Sequence, residues 1–325
     1  MIIGNYDNIA KVLSKINENE LILVAGHKNS DMDSIASSLA LTRYLNKLGK
    51  KAICLIEEKH LNLLNWFNDY KYIETTTDNI KEPYNFILVD ANEKSRLGIF
   101  ENLFNKAKTT IQIDHHENNE GIADHILVDT DISSTSEMVY NILKLLKLDI
   151  DSNIASLIYA GILNDTCCFT RRITDKTFNI TSDLLKYNID YENITKKTYL
   201  NKSLNEIKII GKVISEVTID NDTAYVIIDK SKDTYKDIDY NTFSKKILTT
   251  LNNINDINIV VGILIDNEKI EIIMRSHTIE IESILKSLGG GGHKYAAGAT
   301  VYNKNLSEVI NTIKDKINSL KGTLN

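Results

Sequence analysis

Apolar residues in the first half of the chain fall into short continuous runs, separated by segments with helical spacing. Leu21–Gly26 is such a run, and in Ser34–Leu48 the apolar residues recur on one helical stripe. Gly49 follows, where a left-handed residue commonly ends a helix. Further strands are predicted at Lys51–Ile56, Asn85–Asp90 and Thr109–Asp114. Strands alternating with helices predict an α/β domain with a parallel sheet and helices on both faces.

The rest of the chain changes pattern after three more predicted helices, at Thr135–Leu146, Ile154–Leu163 and about Lys176–Tyr187. Strands and helices are then mixed, which predicts a smaller α+β domain. Its strands are predicted at Ala224–Ile228, Ile257–Ile265 and Lys269–Arg275, and its helices near 241–252, 280–288 and 306–319. We therefore expect a first domain over residues 1–190, a helical linker over 191–215 and a second domain over 216–325.

Composition excludes several classes of protein. The 325 residues include 38 Lys and Arg and 44 Asp and Glu, a net charge of -6, so a strongly basic coat for long nucleic acids is excluded. No apolar run reaches the roughly 18 residues that a membrane helix requires, and Met1 to Asn19 lacks a signal-peptide pattern. Cys54, Cys167 and Cys168 form no disulfide framework. We therefore expect a cytoplasmic protein with no membrane partner.

Acidic and histidine side chains follow four elements of the predicted first domain. Because ligands of open α/β sheets bind at the carboxyl edge of the strands, we expect these side chains to converge there. Carboxylate and imidazole groups without thiolates favour Mn²⁺ or Mg²⁺, with Fe²⁺ or Co²⁺ as alternatives. The candidates are His27, Asp31, Asp33, Asp90, Asp114, His115, His116 and Asp165.

Ordinary structural roles compete with this interpretation. Asp33 taken alone is more often an N-cap, and lone histidines such as His60 and His125 are usually satisfied surface or core residues. Cys167 and Cys168 are more often small buried residues than ligands. The coincidence of four such segments favours a metal site, because clustered carboxylates repel one another unless cations lie between them.

Four consecutive glycines, Gly289–Gly292, precede His293 near the end of the chain. Their backbone N–H groups suit an anion, and Arg275, at the end of a predicted strand, could present its guanidinium to the same phosphate. A flexible helix end followed by a tight turn is the simpler alternative. The candidates for substrate binding are Arg275, Ser276, Gly290, Gly291, Gly292 and His293.

Five motifs together resemble the DHH phosphoesterase superfamily with a C-terminal DHHA1 domain. They are HKNSDMD (27–33), VD (89–90), DHH (114–116), GILNDT (161–166) and GGGGH (289–293). The most similar branch is that of the stand-alone oligoribonucleases, or nanoRNases, and 3′-phosphoadenosine 5′-phosphate (pAp) phosphatases. The resemblance implies a DHH catalytic domain over 1–190 and a DHHA1 substrate-binding domain over 216–325. Ser30, Ala36 and the adjacent cysteines depart from the family pattern, but no ligand is lost.

The resemblance also implies roles for the candidates, and a homodimer. Two Mn²⁺ ions are implied, with Mg²⁺ or Co²⁺ as alternatives. One ion would be held by His27, Asp31 and Asp90, and the other by Asp33, Asp90, His115 and Asp165. His116 would contact the scissile phosphate, and Asp114 would orient the histidines. The substrate-binding candidates of the second domain would hold the nucleotide across a cleft between the domains.

The predicted reaction is hydrolysis of a phosphodiester or phosphomonoester in a short nucleotide. By the same resemblance, substrates would be RNA fragments of a few nucleotides, such as pApA, and pAp. The net negative charge agrees with short substrates, since long RNA needs an extended basic track. A cyclic di-AMP phosphodiesterase, a manganese inorganic pyrophosphatase and a non-catalytic nucleotide-binding regulator are the alternatives. The pyrophosphatase family lacks the GGGGH motif, and a dead regulator would be expected to have lost ligands.

Overall fold

The computed structural model describes residues 2–68, 70–117, 119, 121–200, 203–236, 238 and 242–322, without the side chains of Lys245 and His293. The chain divides into two compact units, Met1–Asn201 and Lys202–Asn325. The division falls inside the segment predicted as a helical linker. That segment forms one helix in each unit, and each unit has its own sheet and core.

The first unit contains a seven-stranded sheet. Its strands are β1 (Ile2–Ile3), β2 (Leu21–Ala25), β3 (Lys51–Leu55), β4 (Ile73–Glu74), β5 (Tyr84–Val89), β6 (Thr109–Asp114) and β7 (His125–Asp129). The strand order is β1-β7-β6-β5-β2-β3-β4, and every pair is parallel except β1 with β7. All six residues of β5 are buried, as expected for a central strand covered on both faces. The predicted parallel sheet is confirmed, although β1, β4 and β7 were not predicted.

Helices cover both faces of this sheet, as predicted. One face packs against α2, α4 and α5, and the other against α3 and a 3₁₀ helix at Lys94–Phe100. A second 3₁₀ helix spans Glu58–Leu64. The α-helices of this unit are α1 (Tyr6–Lys15), α2 (Met32–Lys47), α3 (Glu101–Lys106), α4 (Thr135–Leu145), α5 (Ser152–Asp165), α6 (Asp175–Leu185) and α7 (Tyr191–Thr198).

Local sequence sets both ends of α2. Asp31 is its N-cap, and Asp31 Oδ1 accepts hydrogen bonds from the backbone N–H groups of Asp33 and Ser34 at 3.1 and 3.2 Å. At the other end, Gly49 has a φ of 83°, which glycine adopts without strain. The N–H of Lys50 donates to the carbonyl of Leu45 at 3.0 Å, which closes the last turn. The predicted end of the helix at Gly49 is confirmed.

The second unit is an α+β fold around a six-stranded sheet, which confirms the prediction. Its strands are β8 (Thr218–Asp220), β9 (Thr223–Asp229), β10 (Ile259–Asp266), β11 (Lys269–Ser276), β12 (Gly291–His293) and β13 (Ala296–Tyr302). They lie in the order β12-β13-β11-β10-β9-β8, and only β9 and β10 are parallel. The helices are α8 (Leu204–Ser215), a π-helix (Thr242–Ile247), α9 (Leu248–Asn252), α10 (Glu282–Lys286) and α11 (Leu306–Gly322).

These helices cover the two faces of the second sheet. One apolar cluster joins α8 and the helices at 242–252 to one face, and another joins α10 and α11 to the other face. Across both units, none of the helices that the structure describes is long and apolar enough to cross a membrane.

Candidate metal centre

The acidic and histidine candidates of the first unit meet at the carboxyl edge of β2, β5 and β6. His27 lies in the loop between β2 and α2, Asp90 directly follows β5, and His115 directly follows β6. Asp165 is the last residue of α5, which packs on α2. His27, Asp90 and His115 are buried, and Asp33 in the first turn of α2 is fully buried. Acidic and imidazole groups from four elements therefore share one small volume.

Two groups of side chains each place one ligand-type atom per residue within 4.8 Å of the others: His27, Asp31 and Asp90, and Asp33, His115 and Asp165. Asp90 lies between the groups, because Asp90 Oδ2 is 3.5 Å from His27 Nε2 and Asp90 Oδ1 is 3.5 Å from His115 Nε2. His115 Nε2 is 3.1 Å from Asp165 Oδ2. A third, overlapping group contains Asp90, His115 and His116. The carboxylate of Asp90 therefore faces histidines of both groups, in a cluster compatible with a metal site.

The donor set fits divalent cations. The Nδ1 atoms of His27 and His115 are buried and have no hydrogen-bond partner among the described residues. Within the same residues, the ion pairs of Asp90 and Asp165 are formed with histidines and not with Lys or Arg. Buried carboxylates without a strong cationic partner are unfavourable, and oxygen and imidazole ligands suit hard or borderline metal ions. The residues present therefore match a metal centre better than a salt-bridge network.

The N-terminus of α4 points at this cluster. The backbone N–H groups of Thr135 and Ser136 donate to the two oxygens of Asp33 at 2.8 and 3.0 Å, and Thr135 Oγ1 donates to Asp90 Oδ1 at 3.1 Å. Such N–H groups stabilise an anion. Burial nevertheless raises the pKa of Asp33 well above its ordinary value, with further increases from the charges of Asp165 and Asp90. The hydrogen bonds to Asp33 therefore do not offset the unfavourable effects of burial and of the neighbouring carboxylates on its negative charge.

Gly161 in α5 allows the helix to approach Asp33. A Cβ at this position would lie 1.9 Å from Ser136 Oγ and 2.7 Å from Asp33 Oδ1. Gly161 was predicted only as part of a motif, with no role of its own. The available signal was a glycine inside a helix, which costs about 1 kcal/mol relative to alanine and so suggests a packing reason.

Asp114 fixes the orientation of His116. His116 Nδ1 lies 2.7 Å from Asp114 Oδ1, and Asn119 Nδ2 donates to Asp114 Oδ2 at 2.5 Å. Burial raises the pKa of Asp114, but the hydrogen bond and charge of His116, with smaller effects of His115 and Asn119, outweigh burial and lower it. Asn119 was not among the predicted site residues, since its role depends on the fold of the loop after β6.

The pKa of His115 reports the negative charge around it. Burial lowers this pKa, but the hydrogen bond and charge of Asp165, together with the charges of Asp90 and Asp114, raise it to about 9. The carboxylates around His115 therefore favour positive charge at this position.

In the second unit, strand register places three residues in one row across the sheet. Arg275 of β11 pairs with Ala296 of β13, and Ala296 pairs with His293 of β12. Arg275 Nη2 donates to the carbonyl and hydroxyl oxygens of Ser244, each at 3.2 Å. The neighbouring Ser276 is buried, and its hydroxyl oxygen accepts from two backbone N–H groups of the following turn at 3.2 and 3.0 Å. Ser276 therefore shapes the turn after Arg275.

Packing explains two glycines of the run. A Cβ on Gly290 would lie 2.1 Å from the carbonyl oxygen of Gly298, and one on Gly292 would lie 2.6 Å from that of Ala296. Gly292 also has a φ of 148°. Among the described residues, no atom lies within 4 Å of a Cβ built on Gly291. Close contact with β13 therefore requires Gly290 and Gly292, whereas packing does not explain Gly291.

The histidines and cysteines that were expected to have structural roles lie outside the candidate metal groups of the described residues. His60 Nε2 lies 2.8 Å from the carbonyl oxygen of Lys28, and His125 begins β7. All three cysteines are free thiols, and none joins a candidate metal group in the part of the chain that the structure describes.

Comparison with known proteins gives two family matches. The model of the DHH family, N-terminal domain, matches residues 21–162, and the model of the DHHA1 domain matches residues 236–319. A Bacillus subtilis (strain 168) protein named bifunctional oligoribonuclease and PAP phosphatase NrnA is 28% identical over 293 residues, covering 87% of this chain and 90% of that protein.

A further sequence relative and a solved structure each match nearly all of this chain. An Onion yellows phytoplasma protein named membrane protein-large ribosomal subunit bL9 fusion protein is 26% identical and matches 96% of this chain, but this chain spans only 39% of its length. The crystal structure of an exopolyphosphatase-related protein from Bacteroides fragilis has a TM-score of 0.86 at 23% identity and covers 98% of this chain and 97% of that one. That likeness shows a shared fold along nearly the whole chain.

Proposed function

The chain belongs to the DHH/DHHA1 family of phosphoesterases, and from this membership we propose that it hydrolyses short oligoribonucleotides, including pApA, as well as pAp. As a family member it is a hydrolase of phosphoester bonds. One observation carries the choice of a two-metal reaction: Asp90 lies between two groups of ligand-type side chains. The name of the Bacillus subtilis relative, which combines both activities, supports the substrate class.

Six side chains would hold the cations. The first cation would be bound by His27, Asp31 and Asp90, and the second by Asp33, Asp90, His115 and Asp165. Hard oxygen ligands mixed with imidazole favour Mn²⁺, with Mg²⁺ and Co²⁺ as alternatives. Two bound divalent cations would lower the pKa of a bound water towards about 7 and would offset negative charge on the phosphoryl oxygens.

His116 and Asp114 would act on the scissile phosphate. Asp114 accepts the hydrogen bond from His116 Nδ1 and so directs the Nε2 edge of the ring away from itself. The His116 side chain is 22% exposed whereas that of Asp90 is 3% exposed, so His116 lies at the surface of the cluster, where a substrate arrives. We assign it a hydrogen bond to a phosphate oxygen, or donation of a proton to the leaving oxygen.

The second unit would hold the nucleotide. The guanidinium of Arg275 and the backbone N–H groups of Gly291, Gly292 and His293 suit a phosphate. The N–H of Gly290 instead donates to the carbonyl oxygen of Leu285 at 2.9 Å, so Gly290 would serve the site through its close packing on β13. Ser276 sets the turn beside Arg275. Residues 1–190 would then be the catalytic domain and 216–325 the substrate-binding domain. Free thiols at all three cysteines agree with a reducing compartment, and we place the protein in the cytoplasm.

A substrate panel tests this proposal. Purified full chain is incubated with Mn²⁺ and pApA, a short RNA, pAp, cyclic di-AMP or pyrophosphate, and phosphate or nucleotide release is measured with and without chelator. We expect release from pApA, the short RNA and pAp that stops with chelator and returns with Mn²⁺. A large preference for pyrophosphate or for cyclic di-AMP would contradict the assignment, and so would chelator-resistant turnover.

A further inference from the structure

The segment after Asp165 turns sharply back on itself. Cys167, Cys168 and Phe169 have consecutive left-handed φ angles of 48°, 60° and 59°. The backbone N–H of Arg171 then donates to the carbonyl oxygen of Thr166 at 3.1 Å. Six extended residues would span about 20 Å, so this hydrogen bond keeps Arg171 much closer to Asp165 than an extended chain would. The turn is part of the border of the candidate metal centre.

Phe169 of this turn belongs to a group of aromatic rings. The ring of Phe169 stacks on that of Phe178 from α6, with centroids 6.0 Å apart and an interplanar angle of 26°. Tyr159 of α5 contacts Phe169 at 6.3 Å, which supports the pair against the core. Phe178 is 51% exposed. A supported ring exposed to solvent is a stacking platform for a planar group.

Tyr199, which directly follows α7, adds a second exposed ring near the turn. It is 38% exposed. Burial raises the pKa of Tyr199, Cys167 and Cys168 raise it further, and the charge of Arg171 lowers it, so the phenol lies close to these residues. Geometry agrees with this placement: the N–H of Tyr199 donates to the carbonyl oxygen of Thr195 at 3.0 Å, and Thr195 Oγ1 lies 3.3 Å from the hydroxyl of Tyr159, whose ring contacts that of Phe169.

Two adjacent arginines complete the surface. Arg171 and Arg172 are exposed, and neither forms an ion pair with a carboxylate within the described ranges. The net charge of the chain is -6, and Arg171 and Arg172 are two of only five arginines in its sequence. Guanidinium groups bind phosphate through paired hydrogen bonds. A segment that carries a stacked ring and, two and three residues later, two exposed arginines offers the chemistry that a nucleotide requires.

We propose that Phe169, Arg171, Arg172, Phe178 and Tyr199, the Asp165-turn surface, bind the nucleotide adjoining the scissile phosphate of a short single-stranded oligonucleotide. The neighbouring base stacks on Phe178, and the arginines bind the phosphate that follows. Stacking accepts any base, so this surface selects for the presence of a second nucleotide and not for its sequence. The inference rests on the proposed function, which places the scissile phosphate at the metal centre.

Binding and kinetics of two variants test the surface. The full chain with Mn²⁺ is titrated calorimetrically with a hydrolysis-resistant phosphorothioate analogue of pApA at several salt concentrations. We expect the double variant Arg171→Gln/Arg172→Gln to bind about tenfold more weakly, with a salt slope smaller by about 0.7 for each phosphate that an arginine no longer neutralises. We expect Phe178→Ala to lose about tenfold in affinity with an unchanged salt slope. In turnover, Phe178→Ala should raise KM for pApA but not for pAp, which has only one base.

Matched controls separate this surface from general effects. Leu185→Ala removes a 44% exposed apolar side chain from the other end of α6, and Lys11→Gln removes an exposed charge from α1. Both should bind the analogue like the parent protein. Wild-type affinity and salt slope in the double arginine variant, or equal losses in the controls, would overturn the proposal. If the parent protein cleaves neither pApA nor pAp, the proposed function is refuted. The affinities of the parent protein and the variants for the analogue would still test the Asp165-turn surface.

Discussion

Asp33 in the first unit is fully buried and accepts two backbone hydrogen bonds, whereas Gly291 in the second unit has open space where a side chain would begin. The first candidate site consists of charged side chains drawn from four elements. The second consists mainly of backbone next to one guanidinium. A buried cluster of like charges stores unfavourable energy that a cation relieves. A glycine run only loses chain entropy, so it depends far less on a ligand for its stability.

The largest expected effect comes from the carboxylate between the two groups of the first unit. Asp90→Asn removes the negative charge but keeps the size of the side chain. Asn also adopts left-handed conformations readily, so the φ of 58° at this position is retained. We expect pApA turnover and Mn²⁺ affinity to fall by more than about 100-fold, the upper end of what losing a partner of a metal ligand costs. Steady-state kinetics and Mn²⁺ titration measure both.

The exposed Asp149 offers a matched control for this charge. Asp149→Asn should leave turnover and Mn²⁺ affinity unchanged. Loss of a residue that only hydrogen-bonds to a metal ligand costs about tenfold or more. If Mn²⁺-dependent turnover of Asp90→Asn stays within about tenfold of that of the parent, Asp90 does not bridge the two cations.

Adding Mn²⁺ should stabilise the first unit alone. At about 100 times its Kd, a ligand that binds only the folded state adds about 2.7 kcal/mol to the free energy of unfolding. We expect amide hydrogen exchange to slow in β2, β5 and β6 on Mn²⁺ addition and to stay unchanged in β9, β10 and β11. Equal slowing of amide exchange in both sheets would contradict the prediction that Mn²⁺ stabilises the first unit alone.

Two neighbouring glycines of the second unit should respond differently to alanine. Gly290→Ala places a Cβ against the carbonyl oxygen of Gly298, and we expect a loss of about 1–3 kcal/mol in the free energy of unfolding. Gly291→Ala meets no atom, and its stability should stay within about 0.5 kcal/mol of the parent while KM for pApA rises. Denaturant unfolding and steady-state kinetics measure these effects. An unchanged KM in Gly291→Ala would argue against a backbone cradle there.

The smallest expected effect comes from Thr135 at the N-terminus of α4, and it tests whether this hydroxyl supports Asp90. Thr135→Val removes the hydroxyl that donates to Asp90 but keeps the backbone N–H that donates to Asp33. We expect Mn²⁺ affinity to fall about tenfold. Thr198→Val, which removes a hydroxyl bonded to a helix carbonyl in α7, is the control. Equal losses in both variants would show a general cost of losing a threonine hydroxyl.

The periodic elements were predictable, and the missed ones have physical explanations. The central strands, α2 and its end at Gly49 follow from local patterns. Strand β13, with the sequence AAGATVY, has small residues of low strand propensity in its first half, and pairing with β11 and β12 overrides that preference. Helix α1 was missed although Ile9, Val12, Leu13 and Ile16 recur at helical spacing, so its periodicity was a signal that the sequence carried.

Residue type and position after strands were sufficient to nominate the acidic and histidine candidates. They were not sufficient to assign roles to Thr135, Asn119 or Gly161, although the resemblance already included the segment from Ser133 to Glu137. Thr135 contacts Asp33 from 102 positions away, and Gly161 matters because α5 crosses α2 beside that carboxylate. Contacts of this range depend on how helices pack, which no local pattern encodes.

The sequence by itself determined the chemistry available to this protein: carboxylates and imidazoles at strand ends, a glycine run and a parallel sheet, all consequences of local spacing and residue type. Only the tertiary structure decided that Asp90 lies between two ligand groups, that two glycines are held by packing while one faces open space, and that Phe169 stacks on Phe178. The reason is that these relations join residues from separate elements, and their distances are set by close packing across the fold.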